Sequence, residues 1–291
     1  MKNFLKCQVV PILIFLLIGT GWSHARKFRV MTFNIRLENV SDGVNNWDNR
    51  KADDVAFIKR VKPDVFGLQE PRPLQMDYLK QELSDYGCIG VGRDDGTNGP
   101  DAGEYSPVFF LKERYKVLNS GYFWLSETPE KPSFGWDAAC RRICSWALLQ
   151  DIKTGNSFIY ANTHLDHIGV QARINGAMMI KERLSRIAGN SPMIITGDFN
   201  VNDKSQSYAT MRDRIFTLDD AYKAAKKRTG LKSTFQGFGT IPDDKGEKID
   251  FIFISPFLKV KRTHIYNSTL GDGRYLSDHN PHWADLDGKL L

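Results

Sequence analysis

Cysteine is rare in this 291-residue chain: there are four, and one of them, Cys7, lies in the first 25 residues. The other three, Cys88, Cys140 and Cys144, are odd in number, so at least one thiol stays free. Cys140 and Cys144 flank "RRI" in a stretch read as a strand. Four residues of strand span ~13 Å, beyond disulfide reach, so all three read as free thiols. Long apolar runs are missing too. The run Val9 to Ile18 is about ten residues, against the ~20 that a membrane-crossing helix needs. There is no internal repeat, heptad series, low-complexity tract or Pro/Gly/Ser-rich linker, which argues against solenoids, coiled coils and a two-domain division. Neither sign of charge is in large excess: the formal net charge is +6.

What is present fits a globular protein, with 41% hydrophobic and 25% charged residues. Lys2 and Lys6, the apolar run and Ser23-His24-Ala25 have the layout of a secretory leader cut after Ala25. No cysteine stands at that cut, which disfavours a lipoprotein. The expected division is a signal peptide over 1–25 and one catalytic domain over 26–291, exported to the periplasm or the exterior. Losing Lys2 and Lys6 takes the formal charge from +6 to +4. That tolerates an anionic substrate without marking a nucleic-acid binder.

Strand-length apolar runs recur at 28–36, 64–70, 106–111, 145–152, 157–165, 193–200, 248–255 and 282–287. Helical patterns lie at 49–61, from Pro73 to about Gly87, and from Val170 to Ala188. A basic helix is predicted after Asp219-Asp220, ending near Gly230. Strand–helix alternation followed by strand after strand predicts α/β layers around mixed sheets. Segments 92–106, 126–139 and 237–247 read as long surface loops.

The strands end on polar residues. Asn34, Glu70, His164, Asp198 and Asn200 stand at strand C-termini; Asp250 and Asp278-His279 precede strands. If those last strands run opposite to the rest, every polar group meets at one edge. Any single one reads equally as a turn or capping residue. Together they would be a desolvation burden without a shared purpose.

The pieces "TFNIR", "LQE", "EYSPVFF", "NTHLDH", "GDFN", "IDFIF" and "SDHNP" occur in that order over nearly the whole chain after the leader. In this the chain resembles the endonuclease/exonuclease/phosphatase superfamily. The resemblance implies the DNase I-like fold, a four-layer α/β sandwich of two packed mixed β-sheets flanked by helices. It also implies phosphoester hydrolysis with a divalent metal, Mg²⁺ or else Mn²⁺. On that resemblance Glu70, Asn34 and Asp278 would bind the metal. Asp198 would orient or deprotonate the attacking water, and Asn200 would bond the phosphate or that water. His164 and His279 would donate to phosphoryl oxygens, with Asp250 fixing His279. Tyr105 would touch the phosphate, and Glu104 would support His164. Arg142 either reaches the cleft or makes a surface ion pair. Arg36 departs from the repair endonucleases, some of which carry an acid two residues after the asparagine.

Other readings stand beside these. "HLDH" admits a zinc site, disfavoured because no cysteine pair or H-E-x-x-H is near. The run 223–230 reads as a solvated helix face or a phosphate-tracking strip. Trp124, Phe134 and Trp136 would stack on a substrate ring or fill the core. The acids of the 92–104 loop, against Arg93 alone, predict a rim that repels polyanions and admits a small or head-group phosphoester. The alternatives are a secreted nuclease and a non-catalytic binding protein on the same scaffold. A monomer is expected.

Overall fold

A computed structural model describes residues 27–213 and 215–287. The expected leader, 1–25, lies outside them. The described chain forms thirteen strands and five α-helices. The strands are β1 (Lys27–Asn34), β2 (Val65–Gln69), β3 (Tyr86–Ile89), β4 (Val108–Leu111), β5 (Tyr115–Trp124), β6 (Ile143–Asp151) and β7 (Ser157–His164). They continue as β8 (Met193–Asp198), β9 (Asp219–Asp220), β10 (Lys227–Gly230), β11 (Asp250–Ile254), β12 (Val260–Ile265) and β13 (His282–Asp287). The helices are α1 (Trp47–Val61), α2 (Pro73–Glu82), α3 (Val170–Ala188), α4 (Gln206–Arg212) and α5 (Ala221–Ala224).

Two sheets result, ordered β10-β12-β13-β1-β2-β4-β3 and β5-β6-β7-β8-β11-β9. They pack face to face: the Tyr160 hydroxyl donates to the Met31 carbonyl (2.9 Å), and Asn162 Nδ2 to the Leu68 carbonyl (2.6 Å). Outside the first sheet, Phe57 of α1 meets Phe33 edge-on at 5.8 Å. Outside the second, Ala177, Ile180 and Leu184 of α3 pack on Ile159, Ala161 and Ile195. The four-layer α/β sandwich expected from the sequence is the fold observed.

Strand alternation explains how the layers are filled. Along β1, Phe28 and Val30 face the other sheet, followed by Thr32 and Asn34; Phe33 faces α1. Along β8 the inner residues are Ile194, Thr196 and Asp198, and along β7 they are Phe158, Tyr160, Asn162 and His164. Each central strand thus grades from apolar to polar toward the same end. The middle of that gradient is a fully buried network. Gln69 Nε2 donates to Asn162 Oδ1 (2.6 Å), which also accepts from Thr196 Oγ1 (3.1 Å). Gly67 lets Asn162 approach: a Cβ there would lie 2.2 Å from Asn162 Cγ.

β11 runs antiparallel to β8, and β13 antiparallel to β1. The reversal anticipated from the sequence is present, and Asp250 and His279 arrive at the edge reached by Asp198 and Asn34. One expectation fails. The basic helix after Asp219-Asp220 is a single turn, α5, and the lysine-rich run then becomes β10 beside β12 at the sheet margin. A pattern of Lys, Arg and Ala has high helix propensity, but here the pairing with β12 prevails. Cys140 also lies before β6 rather than in it. The three described cysteines are free thiols.

The loops that carry the polar edge are anchored by Arg50, a fully buried residue of α1. Its guanidinium donates to the carbonyls of Asn45 (2.9 Å), Ile35 (2.6 Å), Arg36 (2.9 Å) and Leu276 (2.9 Å), and to Asp54 Oδ2 (2.8 Å). It therefore ties the chain leaving β1 to the chain approaching β13. Arg50→Met would leave buried carbonyls and a carboxylate unpaired. The expected loss is about 3–5 kcal/mol, a fall in Tm on the order of 10 °C by calorimetry. An unchanged Tm would contradict this anchoring role.

Candidate active site

At the polar end of the inter-sheet layer opens a cleft of about 420 Å³. Glu70, Glu104, Arg142, His164, Asp198, Asn200, Asp278 and His279 all line it, with Arg36, Arg93 and Phe235. Two more expected residues lie just beneath. Asp250 is bonded to His279, and Asn34 to both Glu70 and Asp198.

Register sets the floor. β7, β8 and β11 place His164, Asp198 and Asp250 in one row across the second sheet. Asp198 is buried beside another carboxylate. Burial and the charge of Asp250 push its carboxyl up to about 7, against the pull of His279 and the Asn200 and Asn34 donors. His279 Nδ1 lies 2.8 Å from Asp250 Oδ2, and its Nε2 lies 3.7 Å from Asp198 Oδ2. Burial opposes charge on this ring, but Asp250, then Asp198 and Asp278, win and raise it to about 10. Phe235 covers it, with ring centroids 5.0 Å apart.

His164 is the opposite case. Burial, then Arg142 and Arg93, hold it well below the usual histidine range, so it is neutral. Asn200 Nδ2 donates to the Leu165 carbonyl (2.9 Å) and faces His164 Nε2 at 3.0 Å. An amide N–H donor there makes Nε2 the acceptor and puts the ring proton on Nδ1, 3.7 Å from Glu104 Oε2. His164 was expected to donate to a phosphoryl oxygen; here its Nε2 is taken up by the Asn200 side chain.

The opposite wall carries Glu70. Its Oε1 accepts from Asn34 Nδ2 (2.9 Å) and its Oε2 from the Leu37 amide (3.0 Å). Asp278 is pushed up by burial and further by the charge of Glu70. Two carboxylates facing one space, with free lone pairs, form a hard-oxygen donor set suited to a Mg²⁺-type ion. Asn34, expected among the ligands, is engaged otherwise. Its Nδ2 donates to Glu70 and to Asp198 Oδ2 (3.0 Å), and its Oδ1 accepts from the Arg36 amide (3.0 Å). It thereby bridges the carboxylates of Glu70 and Asp198. Asp198, Asp250 and His279 are also close enough to share a cation. Within that group Asp250 and His279 are already joined by a 2.8 Å hydrogen bond, and all three are buried at the cleft floor.

Tyr105 is not brought to the cleft. Its ring is buried, and its hydroxyl points to the Thr97 carbonyl at 3.4 Å. Arg142 reaches the cleft as a buried group, held by Asp166 (Nε, 3.2 Å) and facing His167 Nδ1 at 3.0 Å. Trp124 is buried and donates to the Arg93 carbonyl (2.7 Å), so it props the loop rather than offering a stacking face. Two features went unread in the sequence. Arg93 lines the cleft and pairs with Glu104 at 2.7 Å, and Arg141 stands 3.8 Å from Asp94. Two of the four rim acids, Glu104 and Asp94, therefore have a cation beside them. Cys140, Asp166 and His167 also cluster. Asp166 is already committed to the amides of Cys140, Ile168 and Gly169 and to Arg142, and that cation disfavours a metal there.

The two histidines give a direct check. In metal-free protein at pH 8, nitrogen NMR is expected to show His279 doubly protonated and His164 neutral. A raised histidine stabilises the fold fully below its unfolded pKa of roughly 6.5 and loses that contribution as pH rises through its folded value, here about 10. Asp250→Asn is expected to return His279 to neutrality at pH 8. A neutral His279 in the unsubstituted protein would contradict the pairing.

Residues 31–279 match the model of the endonuclease/exonuclease/phosphatase family. Among solved structures, an endonuclease/exonuclease/phosphatase from Bacteroides vulgatus is 45% identical, with a TM-score of 0.86 over 90% of this chain and 98% of that one. The mannosyl-6-phosphatase Bt3783 of Bacteroides thetaiotaomicron is 36% identical, with a TM-score of 0.81 over 89% and 99%. Nocturnin of Xenopus laevis is 28% identical over 225 residues, 68% of this chain and 54% of that protein. The chain thus spans about half the length of that curated relative. With its sandwich fold, its cleft at the strand ends and a family match across most of its length, the chain belongs to the endonuclease/exonuclease/phosphatase family.

Proposed function

We propose that the protein is an exported, divalent-metal-dependent hydrolase of a small phosphomonoester, a phosphorylated sugar being the favoured class. The observation that carries this reading is the closeness of two units in one cleft: the Glu70–Asp278 carboxylates and the Asp198–Asp250–His279 network. The cleft volume of about 420 Å³ suits a small ligand. A similar protein is named a mannosyl-6-phosphatase, which supports the sugar phosphate class. Export rests on the pattern in residues 1–25; no described helix is long and apolar enough to cross a membrane.

Each residue has a part. Glu70 and Asp278 would hold the ion, which when bound supplies positive charge to a phosphoryl group. Asp198, with a carboxyl near neutrality, takes the proton of an in-line water. Asn200 lies beside it, its backbone N–H donating to Asp198 Oδ1 at 2.9 Å, and fixes the carboxylate's orientation. His279, kept cationic by Asp250, directs Nε2 at the same space and donates to a phosphoryl oxygen. Arg142 and Arg93 add positive potential on the far side.

A nucleic-acid substrate is the second reading. What favours it is a separate basic hollow lined by Lys223, Arg228, Lys232 and Lys248. A hydrolysis screen with Mg²⁺ on hexose phosphates and duplex DNA separates the two. Hexose phosphate turnover is expected to exceed that of DNA by at least ~10²-fold, to cease in chelator, and to fall by at least ~10²-fold in Glu70→Gln. Faster DNA cleavage with a steep negative salt dependence would favour the nuclease reading.

A further inference from the structure

Arg36 sits where the metal carboxylates face the cleft, and the chain holds it there firmly. Its backbone is left-handed, with φ 58°, a conformation that disfavours a side chain with a Cβ by roughly 1–2 kcal/mol. The surroundings overdetermine it. Its amide donates to Asn34 Oδ1 (3.0 Å), and its carbonyl accepts from Gln75 Nε2 (3.0 Å) and Arg50 Nη2 (2.9 Å). Strain kept in this way is concentrated at working positions.

The side chain is just as constrained. Asp42 grips the guanidinium along one edge with both carboxylate oxygens, Nε to Oδ2 at 3.0 Å and Nη2 to Oδ1 at 3.1 Å. The remaining nitrogen, Nη1, makes no hydrogen bond among the described residues. It stands 3.9 Å from Asp278 Oδ2, on a side chain about a quarter exposed. A planar fork held at two corners presents its third corner in a fixed direction. That corner points toward the space shared by Glu70 and Asp278.

We infer that Arg36 is a specificity-determining residue that takes the place of a second divalent ion. It limits the Glu70–Asp278 centre to one loosely held ion and offers Nη1 to a non-bridging oxygen of a phosphomonoester. A fixed cation there repels any added metal charge. It also favours a dianionic monoester over a diester, which carries one charge fewer. This inference rests on the function proposed above.

The test is binding, with no turnover. Mn²⁺ is titrated into the full chain by calorimetry or electron paramagnetic resonance, and inorganic phosphate is then titrated into the Mn²⁺-loaded protein. The unsubstituted protein is expected to bind one Mn²⁺. Arg36→Ala is expected to bind Mn²⁺ at least about tenfold more tightly and phosphate at least about tenfold more weakly. Arg36→Lys keeps the charge but loses the fork. Its Mn²⁺ affinity is expected within about threefold of the original, with phosphate still weakened. Two Mn²⁺ ions on the unsubstituted protein would overturn the inference, as would unchanged Mn²⁺ affinity in Arg36→Ala. Should Arg36→Ala not fold, full phosphate affinity in Arg36→Lys would overturn it equally. Mn²⁺ binding that Glu70→Gln does not weaken would bring down the functional reading itself. Binding that depends on Glu70 but ignores Arg36 would bring down this inference alone.

Discussion

The side-chain amide of Asn34 joins the two halves of the site. It stands at the end of β1 in one sheet and donates both to Glu70 of that sheet and to Asp198 at the end of β8 in the other. Without a donor between them, two carboxylates would meet in a low-dielectric layer and repel each other strongly. With it, one amide fixes their separation. The Asn34 carbonyl oxygen meanwhile holds the amide of Arg36, so the same side chain sets the turn that follows β1. Glu70, Asp198 and Arg36 all take their positions from one buried residue.

The rest of the fold makes that arrangement tolerable. The apolar end of the inter-sheet layer supplies the hydrophobic burial, and the polar end carries the groups that burial alone would exclude. Between them the Gln69–Asn162–Thr196 network satisfies its members as it passes from one regime to the other. Three non-glycine residues at the cleft, Arg36, Glu70 and Asn200, have positive φ values of 58°, 72° and 50°. Each lies one or two residues past the end of a central strand, where the chain must turn sharply while its side chain stays at the cleft.

The central strands were legible in the sequence because burial on both faces leaves unbroken apolar runs, and the run's polar last residue marked the cleft edge. The marginal strands were not. β10 reads "KRTG" and is largely exposed, and β5 and β12 have exposed residues along their length, so no apolar run announces them. The types of residue in the site were readable; their roles depended on partners distant in the chain. Asn34 became a bridge because Asp198 lies opposite. His164 is held neutral by burial, and then by the two arginines beside it. Tyr105 turned toward Thr97 rather than the cleft. Arg93 was read only as a rim cation, because its pairing with Glu104 spans a loop, where spacing carries no periodic signal.

If one amide joins the two sheets into one site, its removal must disable chemistry far more than folding. The decisive measurement is kcat/KM on a hexose phosphate, with Mg²⁺, for Asn34→Ala alongside its melting temperature. The account predicts a fall of at least ~10²-fold in kcat/KM in a protein that still melts cooperatively within about 10 °C of the original. Turnover equal to the unsubstituted protein would contradict it.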